Sequence, residues 1–312
     1  MNGLKLTREY FKSTAEPSLK TYFPALYPRL AAGLVGNGSE CLGYDDELSR
    51  DHDWGIDFFI WTTEADKGFI PKLSEWKLDL FETSPPEFSP VRSGYGAQTG
   101  VMTCGGFYQS LIGAPEGPKT LGEWLRVPEE NFALATNGEV FIDGAGEFSK
   151  TRNSLQKHYP EDLRKKKIAA KCMAIAQTGQ YNHKRTAKRA DWVTLRTVLS
   201  RFTDSAIALV FLLNRVYRPY YKWAYRMLAD LPVLGNETAR LLLEISETGG
   251  FDEGSISAQQ AAISSLCGLF TDELRSQGLS ASEDPFLAVH GEEIQLSISD
   301  PFLRTLPAQQ DV

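Results

Sequence analysis

The sequence predicts an α+β protein, with an N-terminal half of short strands and helices followed by an all-helical half. Three observations carry this. Strand-like runs rich in β-branched and aromatic residues fall only in the first half, around residues 31–36, 55–62, 99–104 and 139–142. Helical signals dominate from Tyr159-Pro160 onward. Between them, Asp143 to Thr151 supplies glycine and polar residues, which sets a boundary near residues 148–158.

Along the chain, residues 4 to 31 mix helix-forming patterns with Pro17, Pro24 and Pro28. The apolar run Leu30 to Val35 stops abruptly at Gly36-Asn37-Gly38-Ser39. Ile56, Phe58, Phe59, Ile60 and Trp61 read as the next strand, and Ile70 to Trp76 as a helix start. Proline- and glycine-rich loops at 84–90 and 113–118 separate the later elements, and Trp124-Leu125 before Pro128 marks a short helix. In the second half, Leu195, Val198, Leu199, Phe202, Ala206, Leu209, Val210 and Leu213 recur at spacings of three and four, the core-facing stripe of a long helix that begins near Asp191. The expected division is a first domain over 1–150, a helical bundle over 151–306 and a disordered tail over 307–312.

Composition bounds the function class. The chain has 312 residues, long enough for two domains with their own cores. Its hydrophobic content of 42% is ordinary for a globular protein. No apolar stretch approaches the ~20 residues of a membrane helix, and residues 1–10 lack the apolar core of a signal peptide, so a cytoplasmic protein with no membrane partner is expected. A formal net charge of −7 argues against a broad nucleic-acid surface. Cys41, Cys104, Cys172 and Cys267 are widely scattered, without paired metal-ligand spacing.

The chemistry concentrates between residues 36 and 55. A glycine-rich turn after an apolar element leaves backbone N–H groups free to bind an anion, and glycine lets phosphate approach the main chain. Gly38 and Ser39 are the expected phosphate ligands. Twelve residues after Ser39, Asp51 and Asp53 precede the apolar run, and on an extended chain such i, i+2 residues share a face. Two adjacent carboxylates repel unless a cation neutralises them, and Mg²⁺ sits on one or two carboxylates plus substrate phosphates. A site for Mg²⁺, with two ions possible, and a nucleoside triphosphate is therefore expected at Asp51 and Asp53.

Gly38-Ser39, a spacer, Asp51-x-Asp53 and an apolar strand together resemble the signature of the DNA polymerase beta-type nucleotidyltransferase superfamily. The longer string Gly38 to Gly55, with Asn214 to Trp223, is similar to an uncharacterised bacterial family of nucleotidyltransferase-like proteins. Together these blocks extend the resemblance over roughly residues 20 to 300, with antibiotic nucleotidyltransferases of the kanamycin type as the analogy for its architecture. It implies a small mixed-sheet nucleotidyltransferase domain followed by an all-α helical bundle. It also implies transfer of a nucleoside monophosphate, with ATP the expected donor, to a hydroxyl of a small molecule or protein, releasing pyrophosphate. Superfamily members supply a third carboxylate. Asp143, ending the run Glu139 to Ile142 at a turn, is preferred over Asp79 for that role, and a turn-forming Asp is the plain alternative. If neither serves, the expectation becomes a nucleotide-binding sensor or regulatory interaction protein without catalysis.

Further candidates lie in the second half. Arg164 to Lys167 reads as a solvated helix face. Arg185 and Arg189 precede the long helix and are suited to bidentate phosphate contact. Lys222, within Tyr217 to Trp223, offers a compact charge beside aromatic rings that stack a base or pack a core. His52 alternates away from the two acids, and His158 and His183 have no Ser or Cys nucleophile paired with them in sequence, which weakens a hydrolase reading.

Overall fold

The computed structural model describes residues 2–50, 55–83 and 100–312. The chain forms two compact units that divide between Lys157 and His158.

The first unit contains helices α1 (Gly3–Tyr10) and α2 (Glu16–Tyr22), then strands β1 (Ala31–Leu34) and β2 (Phe59–Thr62) and helix α3 (Ile70–Glu82). Strand β3 (Val101–Thr103), helices α4 (Cys104–Ile112), α5 (Leu121–Arg126) and α6 (Glu129–Thr136), strand β4 (Glu139–Asp143) and helix α7 (Glu147–Leu155) follow. All four strand-like runs form strands, in the order β3-β2-β1-β4. β1 runs antiparallel to both β2 and β4, while β2 and β3 are parallel. The sheet is mixed, and the α+β class holds.

Alternation along the strands sorts the core into two faces. Ala32 and Leu34 of β1, Ile60 of β2 and Phe141 of β4 pack with Tyr10, Phe11, Leu19, Leu73 and Trp76 of the flanking helical segments. Phe59 and Trp61 point the other way, against Phe107 of α4 and, for Trp61, against Phe148 of α7 at a ring separation of 3.9 Å. The glycine- and polar-rich stretch Asp143 to Thr151 contains the start of α7, where Phe148 is fully buried and its carbonyl accepts from Tyr108 Oη at 3.0 Å. Asp79 lies within α3, so it is not a strand acid.

At the centre, β1 approaches β4 through Gly33, where the register shifts. A Cβ there would sit 2.4 Å from the carbonyl oxygen of Glu139. Gly33→Ala is expected to destabilise this unit by about 2 kcal/mol through overpacking, read as a lower urea midpoint.

The second unit is all helix: α8 (Glu161–Ile175), α9 (His183–Lys188), α10 (Trp192–Leu213), α11 (Tyr221–Leu228), α12 (Gly235–Glu247), α13 (Glu253–Ser276), α14 (Leu287–Leu296) and α15 (Pro301–Thr305). The long amphipathic helix starts where expected, with the Asp191 side chain accepting from Thr194 N at 3.1 Å. Its stripe is buried except for the half-buried Leu199, and from Ser205 to Leu213 burial extends all round. A helix apolar on every side is a core helix.

Two expectations change in this unit. The basic run is not a solvated face: Arg164 and Lys166 are buried, Arg164 donating to the carbonyl of Leu212 at 3.2 Å. Burial pulls the Lys166 ammonium below its usual range, and it donates to the carbonyls of Pro307 and Ala308 at 2.7 and 3.1 Å. The tail expected to be disordered is held by those bonds, by Lys171 on Asp311 at 2.6 Å and by Lys167 on the Val312 carbonyl. Among the described residues, no helix is long and apolar enough to cross a membrane.

Candidate functional site

The turn after β1 is built to expose main-chain N–H groups. Gly36 and Gly38 adopt φ of 109° and 113°, values that favour glycine. A single 3₁₀ turn, Glu40–Leu42, follows and ends on Gly43 at φ 72°. Asn37 and Gly38 are exposed and Ser39 half-buried. Among the described residues, the amides of Asn37, Gly38 and Ser39 donate no hydrogen bond. Successive free amides of this kind form an anion-binding concavity. Gly38 is required on a second count, since a Cβ there would lie 2.5 Å from Oε1 of the buried Glu40.

The turn is braced from the segment between α6 and β4. Asn137 Nδ2 donates to the Gly36 carbonyl and Asn137 Oδ1 accepts from Gly36 N, both at 2.7 Å. Gly138 N donates to the Cys41 carbonyl at 2.9 Å. Arg152 of α7 in turn donates through Nη2 to the carbonyls of Thr136, Asn137 and Gly138, each at 2.9 Å. A guanidinium spanning three carbonyls at the end of α6 holds the Asn137 clamp in place. Burial lowers the Arg152 pKa from its ordinary value, yet the group stays cationic at neutral pH.

Strand direction decides what else reaches this end of the sheet. Gly33 pairs with Phe59, so the antiparallel β2 begins beside the turn that ends β1. Asp57, just before β2, accepts from Phe58 N at 2.8 Å and pairs with Lys77 of α3 at 2.7 Å. Both side chains are largely buried, and Lys77 Nζ also lies 5.1 Å from the Phe58 ring centroid. The lead-in to β2 is thus pinned to α3. Asp51, His52 and Asp53 lie outside the described residues.

Asp143 is not brought to the turn. It pairs with Ala31 at the start of β1, whereas Glu139 sits opposite Leu34 beside the turn. The steps from Ala31 to Leu34 alone span about 10 Å. The Asp143 carboxylate instead caps α7, Oδ2 accepting from Ser149 N at 2.7 Å. Burial, and then the Asp143 charge, push the neighbouring Glu147 carboxyl above its usual range. Asp143, expected as the third carboxylate, is thus placed at the far end of β1 from the turn, with Oδ2 bonded to the first turn of α7. Of the described carboxylates near the turn, Asp57 is held by Lys77, Glu139 by Arg8 at 2.8 Å, and Glu40 is buried beneath Gly38. Among the described residues, no group of three or more His, Cys, Asp or Glu could hold a metal.

Arg185, Arg189 and Lys222 are exposed in the helical unit and, among the described residues, form no salt bridge with a carboxylate. Arg185 lies over the Tyr181 ring at 4.8 Å and Lys222 over Trp223 at 5.0 Å. Tyr217 is buried, which favours packing for that end of the block, while Tyr220 and Tyr221 are exposed. Sequence reasoning passed over Asn137, Arg152, Lys77 and Glu40. Only Glu40, adjacent to Ser39, had a local signal.

None of the three helical-unit histidines, His158, His183 and His290, is exposed. His183 is fully buried, with its ring nitrogens 3.0 Å from Oε1 of Gln260 and of Gln259. His158 takes a left-handed φ of 71° and packs against the Tyr159 and Tyr217 rings, each 4.6 Å away. Burial, then the charges of Arg164, Arg215 and Lys167, lower its pKa to about 3. The folded chain thus refuses a proton that the unfolded chain takes up below pH 6.5. Stability from this group is complete above pH 6.5 and is lost as pH falls toward 3. His158→Asn, which tolerates the left-handed backbone, is expected to remove about 2 kcal/mol of the loss between pH 7 and 4.5 in urea unfolding.

The family described as Domain of unknown function (DUF4037) matches residues 124–224. That stretch includes Asn137, Gly138 and Arg152, which brace the turn, and ends within α11; the turn itself precedes it. No curated protein and no solved structure matches the chain.

Proposed function

We propose that the chain is a Mg²⁺-dependent nucleotidyltransferase, moving a nucleoside monophosphate from a nucleoside triphosphate, ATP first among them, to a hydroxyl of a small molecule or protein. The observation that carries this reading is the braced Gly36–Ser39 turn with its free amides, at the sheet end where β2 begins. The amides and the Ser39 hydroxyl would hold the β- and γ-phosphates. Mg²⁺ held by Asp51 and Asp53 would neutralise charge on the phosphates. The acceptor oxygen bonds to the α-phosphorus, the bond to pyrophosphate breaks, and the acceptor proton leaves to a base. Positioning and charge neutralisation supply most of the acceleration. The cytoplasm, which supplies ATP and Mg²⁺, is the compartment this reading implies.

The position of Asp143 favours a second reading, in which the same turn binds a nucleotide without transferring it and regulates a partner. One experiment separates the two. Pure protein is incubated with Mg²⁺, each labelled nucleoside triphosphate and cell extract, and pyrophosphate and labelled acceptor are measured beside nucleotide binding. Transfer predicts pyrophosphate release that an Asp51→Ala, Asp53→Ala variant loses by about 100-fold or more. A wild type indistinguishable from the variant sinks transfer, and binding that persists without release supports the sensor.

A further inference from the structure

The helical unit contains a cavity of about 400 Å³ between α10, α11, α12 and the start of α13. We propose that it binds a small organic anion with an apolar body and one carboxylate. The size suits a small ligand. Its walls include Ile207, Leu242 and Ile245, all buried and apolar.

The polar lining sorts into groups already satisfied and groups left open. Gln259 Nε2 donates to the Thr248 carbonyl at 2.6 Å, and its Oε1 faces His183 Nε2 at 3.0 Å. Tyr225 Oη donates to the Ala239 carbonyl at 3.1 Å, and Thr248 Oγ1 to that of Glu244 at 2.7 Å. None of these asks for a ligand. The hydroxyls of Ser200, Thr203 and Ser246 have no hydrogen bond among the described residues.

Charge fixes the sign of the ligand. Among the described residues, Arg196 is the one charged side chain in the lining and has no carboxylate partner. Its guanidinium is held 4.9 Å from the Phe251 ring centroid, and Phe251 stacks on Trp192 at 4.9 Å and 23°. An aromatic platform orients the guanidinium without neutralising it, which leaves its donors for a carboxylate. The hydroxyls add donors, and the apolar wall takes the hydrocarbon.

The site lies wholly within the helical unit and stands independently of the nucleotide reading. Octanoate, octylammonium and 1-octanol are the probes, titrated calorimetrically into the full chain at low ionic strength. Octanoate is expected to bind about tenfold tighter than either neutral or cationic analogue. The exposed-site variant Arg196→Gln should bring the three within about twofold, and Ser246→Trp, which fills the cavity from an exposed position, should weaken all three; circular dichroism confirms that both variants fold. Absent octanoate binding, octylammonium binding equally well, or binding unaffected by Ser246→Trp would each overturn the proposal.

Discussion

Replacing Lys77 with alanine is expected to destabilise the sheet unit by about 4 kcal/mol. The substitution removes the ammonium 2.7 Å from Asp57, a carboxylate only 15% exposed, and takes a charge from over the Phe58 ring. Breaking one side of a buried pair costs more than the pair contributes, because the remaining charge stays desolvated. The double variant Lys77→Met, Asp57→Asn is therefore expected to recover a large part of the loss. Urea unfolding of the two variants beside wild type measures both effects. Equal losses in the single and double variants would show that the ion pair is not the cause.

Asn137→Ala is expected to cost about 3 kcal/mol and to weaken nucleotide binding by tenfold or more. It strands two groups, the N–H and carbonyl of the buried Gly36, each now bonded at 2.7 Å. An unsatisfied buried backbone group costs about 1–3 kcal/mol, so two together account for the magnitude. The loss of binding follows from position, since Gly36 opens the turn whose amides would hold the phosphates in the proposed reading. Calorimetric titration with MgATP, beside a urea melt, separates the two consequences. A destabilised variant with unchanged affinity would mean that the turn is not the phosphate site.

How much of this was legible in the sequence depends on whether a feature is local. The four strands and the α10 stripe were, because alternation and three–four spacing act between near neighbours. Asp143 was not. A strand's composition reveals its end but not its direction relative to its neighbours, and it is the antiparallel pairing of β4 with β1 that carries Asp143 away from the turn. Asn137 reads as an ordinary residue before glycine, and its partner Gly36 lies 101 residues away. Lys166 is similar: a charge run reads as solvated until the chain 141 residues later packs over it. What sequence conveys least is long-range pairing, and the bracing of the site is made almost wholly of it.

The central claim, that the Gly36–Ser39 turn receives the phosphates of a nucleotide, is tested most directly by amide chemical shifts. Isotope-labelled protein titrated with MgATP should shift the amide resonances of Asn37, Gly38 and Ser39 most, with saturation at a common dissociation constant. Saturable binding that leaves those three amides unmoved, or no binding at all, would contradict it.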